Sequence, residues 1–96
     1  MNTREWTPEH TTGGPLDEAF RLVRARMADV VIERRVEQDG ADDDLFFIRI
    51  VTNPDMLELE CRPGGRPPFV VSDEHSQIDA LDSAAAAAAV HELLRA

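Results

Sequence analysis

Few residues of this chain have the types and spacing that catalysis or metal binding needs. The four best donors for a transition metal are His10, His75, His91 and Cys61. They lie in separate stretches, without a paired spacing such as C-x-x-C or H-x-x-x-H, so no zinc site is predicted. Cys61 shares the apolar phase of an alternating segment with Leu57 and Leu59, which indicates a buried, inert thiol rather than a nucleophile.

Carboxylates form two further candidate sites. The run Asp39-Gly40-Ala41-Asp42-Asp43-Asp44 suggests calcium, but its sixth position is aspartate rather than glycine and its twelfth is isoleucine rather than glutamate. That pattern excludes an EF-hand. Glu58 and Glu60 project from one face of a predicted strand about 7 Å apart, a spacing open to acid–base chemistry but far more typical of a solvated sheet face. We therefore predict no catalytic residue, no metal and no cofactor.

The charge of the chain is large and unevenly distributed. Its 96 residues carry a net charge of -9, and every basic residue is an arginine. Residues 16–38 balance five acids with five arginines, whereas residues 39–61 carry seven acids against Arg49. Such a chain repels nucleic-acid phosphates and anionic membranes, which argues against both as partners. The negative charge favours a basic protein as the partner instead.

A partner-binding face is predicted where the acids concentrate. Its expected centre is Asp42, Asp43, Asp44, Glu58 and Glu60, with Trp6 as a further contact offered by the N-terminal arm. Residues 1–15 are polar and rich in glycine and threonine near their end, so they are expected to form a flexible arm before a single domain at 16–96. A lone indole in such an arm either docks on its own domain or meets a partner.

The first element that must position these residues is a helix beginning at Gly14-Pro15. Proline is tolerated in the first turn, and five apolar side chains then follow at helical spacing: Leu16, Ala19, Phe20, Val23 and Met27. The β-branched run Val30-Val31-Ile32 favours a strand over residues 30–37. The alternative is one long helix to Gln38, capped by Gly40.

Strands dominate the middle of the chain. Residues 45–51 form the clearest one, with Phe46, Ile48 and Ile50 on one face and Leu45, Phe47 and Val51 on the other. Further strands are predicted at 56–62, 69–71 and 77–80, separated by the turns Pro63-Gly64-Gly65 and Asp73-Glu74-His75-Ser76. Because both faces of the strand at residues 45–51 are apolar, a homodimer formed through Phe47 and Val51 remains an alternative.

An alanine-rich helix ends the chain, with Asp82 or Ser83 as its N-cap. The order of helix, antiparallel strands and alanine-rich helix resembles a double-stranded-RNA-binding domain, and Ser83 to Leu94 is similar to its last helix. That family contacts phosphates through lysines at the start of the helix, whereas residues 79–83 here are acidic and lysine-free. The resemblance therefore concerns topology and not nucleic-acid binding.

The sequence thus predicts an α+β fold: an N-terminal helix, an antiparallel sheet of three to five strands and a C-terminal alanine-rich helix, with both helices on one face. No apolar run reaches membrane-spanning length, the N-terminus lacks signal-peptide order, and one cysteine forms no internal disulfide, so a cytoplasmic protein is expected. The preferred function is non-catalytic binding of a basic partner. The alternatives are a small enzyme or ligand-binding domain, with a pocket edged by His75 or Cys61, and a structural homodimer.

Overall fold

A computed structural model describes residues 3–36, 44–53 and 55–94 of the chain. Its elements are β1 (Thr3–Glu5), α1 (Leu16–Arg26), β2 (Val30–Arg35), β3 (Asp44–Ile50), β4 (Met56–Arg62), β5 (Arg66–Ser72), β6 (Gln77–Ala80) and α2 (Ser83–Leu94). The six strands found in these residues form one antiparallel sheet whose spatial order is the chain order. The predicted α+β class is confirmed, but the sheet has more strands than the three to five expected.

The extra strand comes from the N-terminal segment. Thr3 pairs with Arg35 and Glu5 with Glu33, so β1 forms one edge of the sheet. The backbone N–H of Trp6 then donates to the carbonyl of Ile32 over 2.8 Å. Residues 1–15 were expected to be a flexible arm, but Thr3–Glu5 pairs with β2 as an edge strand and Trp6 adds one more hydrogen bond to that strand.

The first helix is short, and a strand follows it in the structure. α1 buries Leu16, Ala19, Phe20 and Val23 along one side and ends at Arg26. Met27 leaves the helical region at φ -129°, and β2 begins at Val30. Of the two alternatives, the strand is therefore the one observed, over Val30–Arg35, which agrees with the stiffness of its β-branched residues at χ1. Residue 37 lies outside the described residues.

Both helices cover the same face of the sheet. The rings of Phe20 in α1 and Phe46 in β3 meet edge to face at 5.1 Å between centroids. α2 packs against α1 and against β4, β5 and β6 through its buried small side chains, which include Ala86 and Ala89. Small residues let this helix approach the strands closely, so a single core forms between the helices and one sheet face.

Candidate functional site

The sheet face turned away from the helices is the candidate functional surface, and we call it the open face. Strand alternation and the cross-strand register assign its side chains. They are Thr3 and Glu5 of β1, Val31, Glu33 and Arg35 of β2, Leu45, Phe47 and Arg49 of β3, Met56, Glu58, Glu60 and Arg62 of β4, Arg66, Pro68, Val70 and Ser72 of β5, and Gln77 and Asp79 of β6. This set has five carboxylates and four arginines, and Arg62 and Arg66 are paired at one end of the face.

A row of carboxylates crosses the middle of the open face. Glu5 lies opposite Glu33, Glu33 opposite Phe47, and Phe47 opposite Glu58. Adjacent strands lie about 4.8 Å apart, so the two glutamates on either side of the ring are its immediate neighbours. Thr3 donates its hydroxyl to Glu33 over 3.1 Å, which orients that carboxylate at one end of the row.

Phe47 is the apolar centre of this row. Its side chain is only 6% exposed, although it lies on the face that the helices leave uncovered and outside the main core cluster. Long side chains on the neighbouring strands can shield a ring in this way, with their apolar stems along it and their charged ends in water. The surface around Phe47 is therefore acidic at its outer side, with an apolar ring beneath the charged groups.

A second pair of carboxylates lies beside the first row. Glu60 is opposite Leu45 on one side and Val70 on the other, and Asp79 is the partner of Val70 on β6. Glu58, Glu60 and Asp79 are all exposed. Acidic and apolar side chains therefore alternate across four strands, whereas Arg49 lies between Val31 and Met56, toward one end of the face.

Of the predicted face, Glu58 and Glu60 lie on the open face, but Asp44 does not. Asp44 pairs with Cys61 in the register and shares the helix-covered side with Phe46. It is 6% exposed, and its carboxylate accepts a hydrogen bond from Arg34 at 2.7 Å. Strand alternation thus removes Asp44 from the expected partner surface. Asp42 and Asp43 lie outside the described residues.

Trp6 is also buried, at 7% exposure, so the expectation that it contacts a partner is not supported by its position. Its indole stacks on His10 with centroids 4.9 Å apart and meets the Phe46 ring edge-on at 5.4 Å. The guanidinium of Arg34 lies 5.4 Å from the indole centroid, a cation–π distance. The indole therefore closes one side of the core.

The two residues proposed for the enzyme alternative lie in different settings. Cys61 is 2% exposed within the core, whereas His75 lies in the exposed turn after β5. His75 and Leu93 border a cavity of about 300 Å³ whose rim includes Asp55 and Asp73. Asp73 accepts the backbone N–H groups of residues 75 and 76, and these hydrogen bonds lower the pKa of its carboxyl.

Within the described ranges, no three of the His, Cys, Asp and Glu side chains are grouped so that they could hold a metal ion. Comparison of the chain with protein-family models, with curated proteins and with solved structures finds no match. No helix in the described part of the chain is long and apolar enough to cross a membrane. The candidate function therefore rests on the geometry and charge of the open face.

Sequence reasoning missed three of the five carboxylates of the open face. Glu5, Glu33 and Asp79 belong to the open face because of which strands pair and in which register. The alternation of Val31, Glu33 and Arg35 was visible in the sequence, but it does not identify the neighbours of a strand.

Proposed function

We propose that the chain is a non-catalytic binding protein whose open face contacts a basic protein surface. The observation that carries the proposal is the acidic row around Phe47, continued by Glu60 and Asp79. Carboxylates spaced one strand apart complement lysine and arginine side chains. An inhibitor or immunity-like protein that covers the phosphate-binding site of a nuclease would need such a surface.

The apolar residues of the open face support a protein partner rather than a free cation. Leu45 and Val70 are partly buried beside Glu60, and Met56 is 44% exposed at the end of β4. Protein interfaces combine apolar contact area with a polar rim, whereas small ions need only the charges. The mixed surface therefore fits a partner that buries apolar area between its basic side chains.

The first experiment locates the contact with a defined basic probe. A deca-arginine peptide is titrated into isotopically labelled protein at low salt, and amide chemical shifts are followed by NMR. The largest changes are expected at Glu58, Glu60 and Asp79. Changes centred instead on exposed acids outside the strands, Asp29 in the turn before β2 and Glu92 in α2, would contradict the proposal.

The second experiment uses charge-neutral variants and the natural partner. Glu58→Gln with Glu60→Gln removes two charges from the open face, and Asp29→Asn with Glu92→Gln removes two from elsewhere. After capture and identification of a basic partner, the first variant should associate about three- to tenfold more slowly at low salt, with a weaker salt dependence. Equal association rates for the two variants would count against the open face.

A homodimer is the other occupant that the open face allows. Phe47 is buried, and Val51 lies in the turn beyond β3 and is 61% exposed, so these two residues do not form one continuous patch. The mixed charges suit a basic partner better than an identical acidic copy, because like charges would meet across a two-fold axis. Sedimentation equilibrium should give the monomer mass; a dimer lost on Phe47→Ala would favour the homodimer.

A further inference from the structure

A second site lies on the other side of the molecule, between the segment after β1 and helix α1. This groove has a volume of about 490 Å³, within the range of small-molecule pockets. Its lining is mostly apolar and aromatic, with two arginines and one aspartate: Trp6, Pro8, His10, Thr11, Asp17, Phe20, Arg21, Arg24 and Ala25. It is independent of the open face and of the proposed function.

Hydrogen bonds hold the outer wall of the groove in place. The backbone N–H of His10 donates to the carbonyl of Thr7 at 3.0 Å, which closes a turn over residues 7–10. The backbone N–H of Thr7 donates back to Nδ1 of His10 at 2.9 Å, so a neutral His10 carries its proton on Nε2. This pairing fixes the imidazole against the indole of Trp6, and the groove is largely preformed.

Most charged groups at the groove already have partners. Asp17 accepts hydrogen bonds from Thr12 and from the backbone N–H of Gly13. Arg21 donates twice to Glu18, at 2.7 and 2.6 Å. Thr7 donates its hydroxyl to Glu9, and that hydrogen bond lowers the pKa of the Glu9 carboxyl. These groups are therefore poor candidates for binding a ligand.

Arg24 is the exception. Its guanidinium donates to the carbonyl of Trp6 and lies 5.9 Å from the centroid of the Phe20 ring. Among the described residues it forms no direct ion pair, and the carboxylates of Glu9 and Glu5 act on it only at longer range. It is partly buried, and burial lowers its pKa, although an arginine stays cationic at any working pH. A half-desolvated cation beside an apolar groove is stabilised by an anion that enters the groove.

We propose that this groove binds a small planar aromatic carboxylate. The ligand's carboxylate accepts hydrogen bonds from the N–H groups of Arg24 that are not used by Trp6. The ligand's ring lies between Pro8 and His10 on one side and helix α1 on the other. An aromatic ring suits a cleft floored by Trp6 and Phe20, and the fork of a guanidinium suits a carboxylate.

The test compares two ligands of the same shape on the unaltered protein. Calorimetry and NMR are used with 2-naphthoate and with neutral 2-naphthamide, and the single indole N–H resonance of Trp6 reports occupancy. Saturable binding of 2-naphthoate with a shift of that resonance is expected, and 2-naphthamide should bind at least about tenfold more weakly because it loses the charge-assisted hydrogen bond. Absence of saturable binding, or equal affinity for both ligands, overturns the proposal.

Variants on one helix then identify the cation. Arg24→Gln should weaken 2-naphthoate about tenfold and make the two ligands equivalent, whereas Arg24→Lys should retain the preference for the anion. Arg26→Gln is the matched control, since Arg26 is an exposed arginine of α1 that does not line the groove. A preference for 2-naphthoate that survives Arg24→Gln, or is lost in Arg26→Gln, contradicts the assignment; the ligand comparison on the unaltered protein stands even where a variant fails to fold.

Discussion

Asp44 and Arg34 show how the setting of a residue can reverse the role suggested by its type. Asp44 belongs to the most acidic stretch of the sequence, yet its side chain is 8% exposed and is paired with an arginine that is 29% exposed. Within residues 3–36, 44–53 and 55–94, the Nε atom of Arg34 has no hydrogen-bond partner. A buried pair of this kind contributes little net stability while intact, but removing one partner leaves an uncompensated charge.

Arg34→Met is therefore expected to destabilise the fold by about 2–3 kcal/mol, because Asp44 would remain buried as an unpaired carboxylate. Urea unfolding of the variant measures this loss. The double change Arg34→Met with Asp44→Leu should recover most of it, since no charge is then buried. Arg21→Met, which breaks the exposed pair with Glu18, is the control and should change little. Similar losses in both single variants would contradict this reading.

His91 supplies a pH-dependent contribution to stability. Its Nε2 atom is buried and finds no hydrogen-bond partner in the described part of the chain, and burial, aided by Arg26, lowers the pKa of its imidazole. The unfolded chain then takes up a proton at higher pH than the folded chain does. Stability should fall as the pH drops below about 6.5, the ordinary histidine value, toward the lower folded pKa.

Urea midpoints measured between pH 7.5 and 5.5 test this contribution. His91→Gln should flatten the decline in stability toward low pH, because glutamine does not titrate. His75→Gln, at an exposed turn position, should leave the decline unchanged. A decline that is the same in all three proteins would assign it to another group.

At the scale of elements, the turn between β4 and β5 fastens the start of α1. The backbone N–H of Leu16 donates to the carbonyl of Gly65 at 3.0 Å. Gly64 and Gly65 both have positive φ, at 82° and 70°. A Cβ on Gly65 would come 2.0 Å from Oγ1 of Thr12, whereas a Cβ on Gly64 would meet nothing closer than Arg66 at 3.8 Å. Of these two glycines, only Gly65 is therefore also packed too closely against Thr12 to accept a side chain.

Gly64→Ala and Gly65→Ala separate backbone strain from packing. Each alanine pays about 1 kcal/mol for a left-handed conformation. Gly65→Ala must also displace Thr12, so a total loss of about 3 kcal/mol is expected for it. Thermal or urea unfolding checks both values. Equal losses would mean that the segment carrying Thr12 moves aside at no cost.

At the scale of the whole molecule, the N-terminal segment packs onto the rest of the domain through Trp6 and β1. Trp6 contacts His10, Phe46 and Arg34, and so joins three parts of the chain around one ring. A segment integrated in this way should unfold together with the sheet, since small domains usually lose their structure in one transition.

Trp6 is the only tryptophan, so its fluorescence reports the N-terminal segment alone, while far-UV circular dichroism reports the helices and the sheet. The two urea transitions are expected to coincide. A fluorescence transition at lower urea would instead describe an arm that detaches before the domain unfolds. Trp6→Ala should cost about 3–4 kcal/mol, as is usual when a buried aromatic side chain is removed.

Local features of the sequence were sufficient for the elements and the class of the fold. Helical spacing from Leu16 to Val23, alternation from Met56 to Arg62 and the turn at Gly64-Gly65 each depend on neighbouring residues, and all three are present in the structure. The exposure of Glu58 and Glu60 followed from the same alternation. The excess of acid needed no structure at all, because it depends only on composition.

Tertiary structure decided which residues meet. Contacts between residues far apart in the chain pair β1 with β2 and bury Trp6. They also turn Asp44 toward the helix-covered side of the sheet. A shift of one residue in register turns every side chain of a strand to the other face, and local patterns do not fix the register of distant strands. For that reason the acidic row around Phe47 and the position of Arg24 beside the groove become visible only in the folded chain.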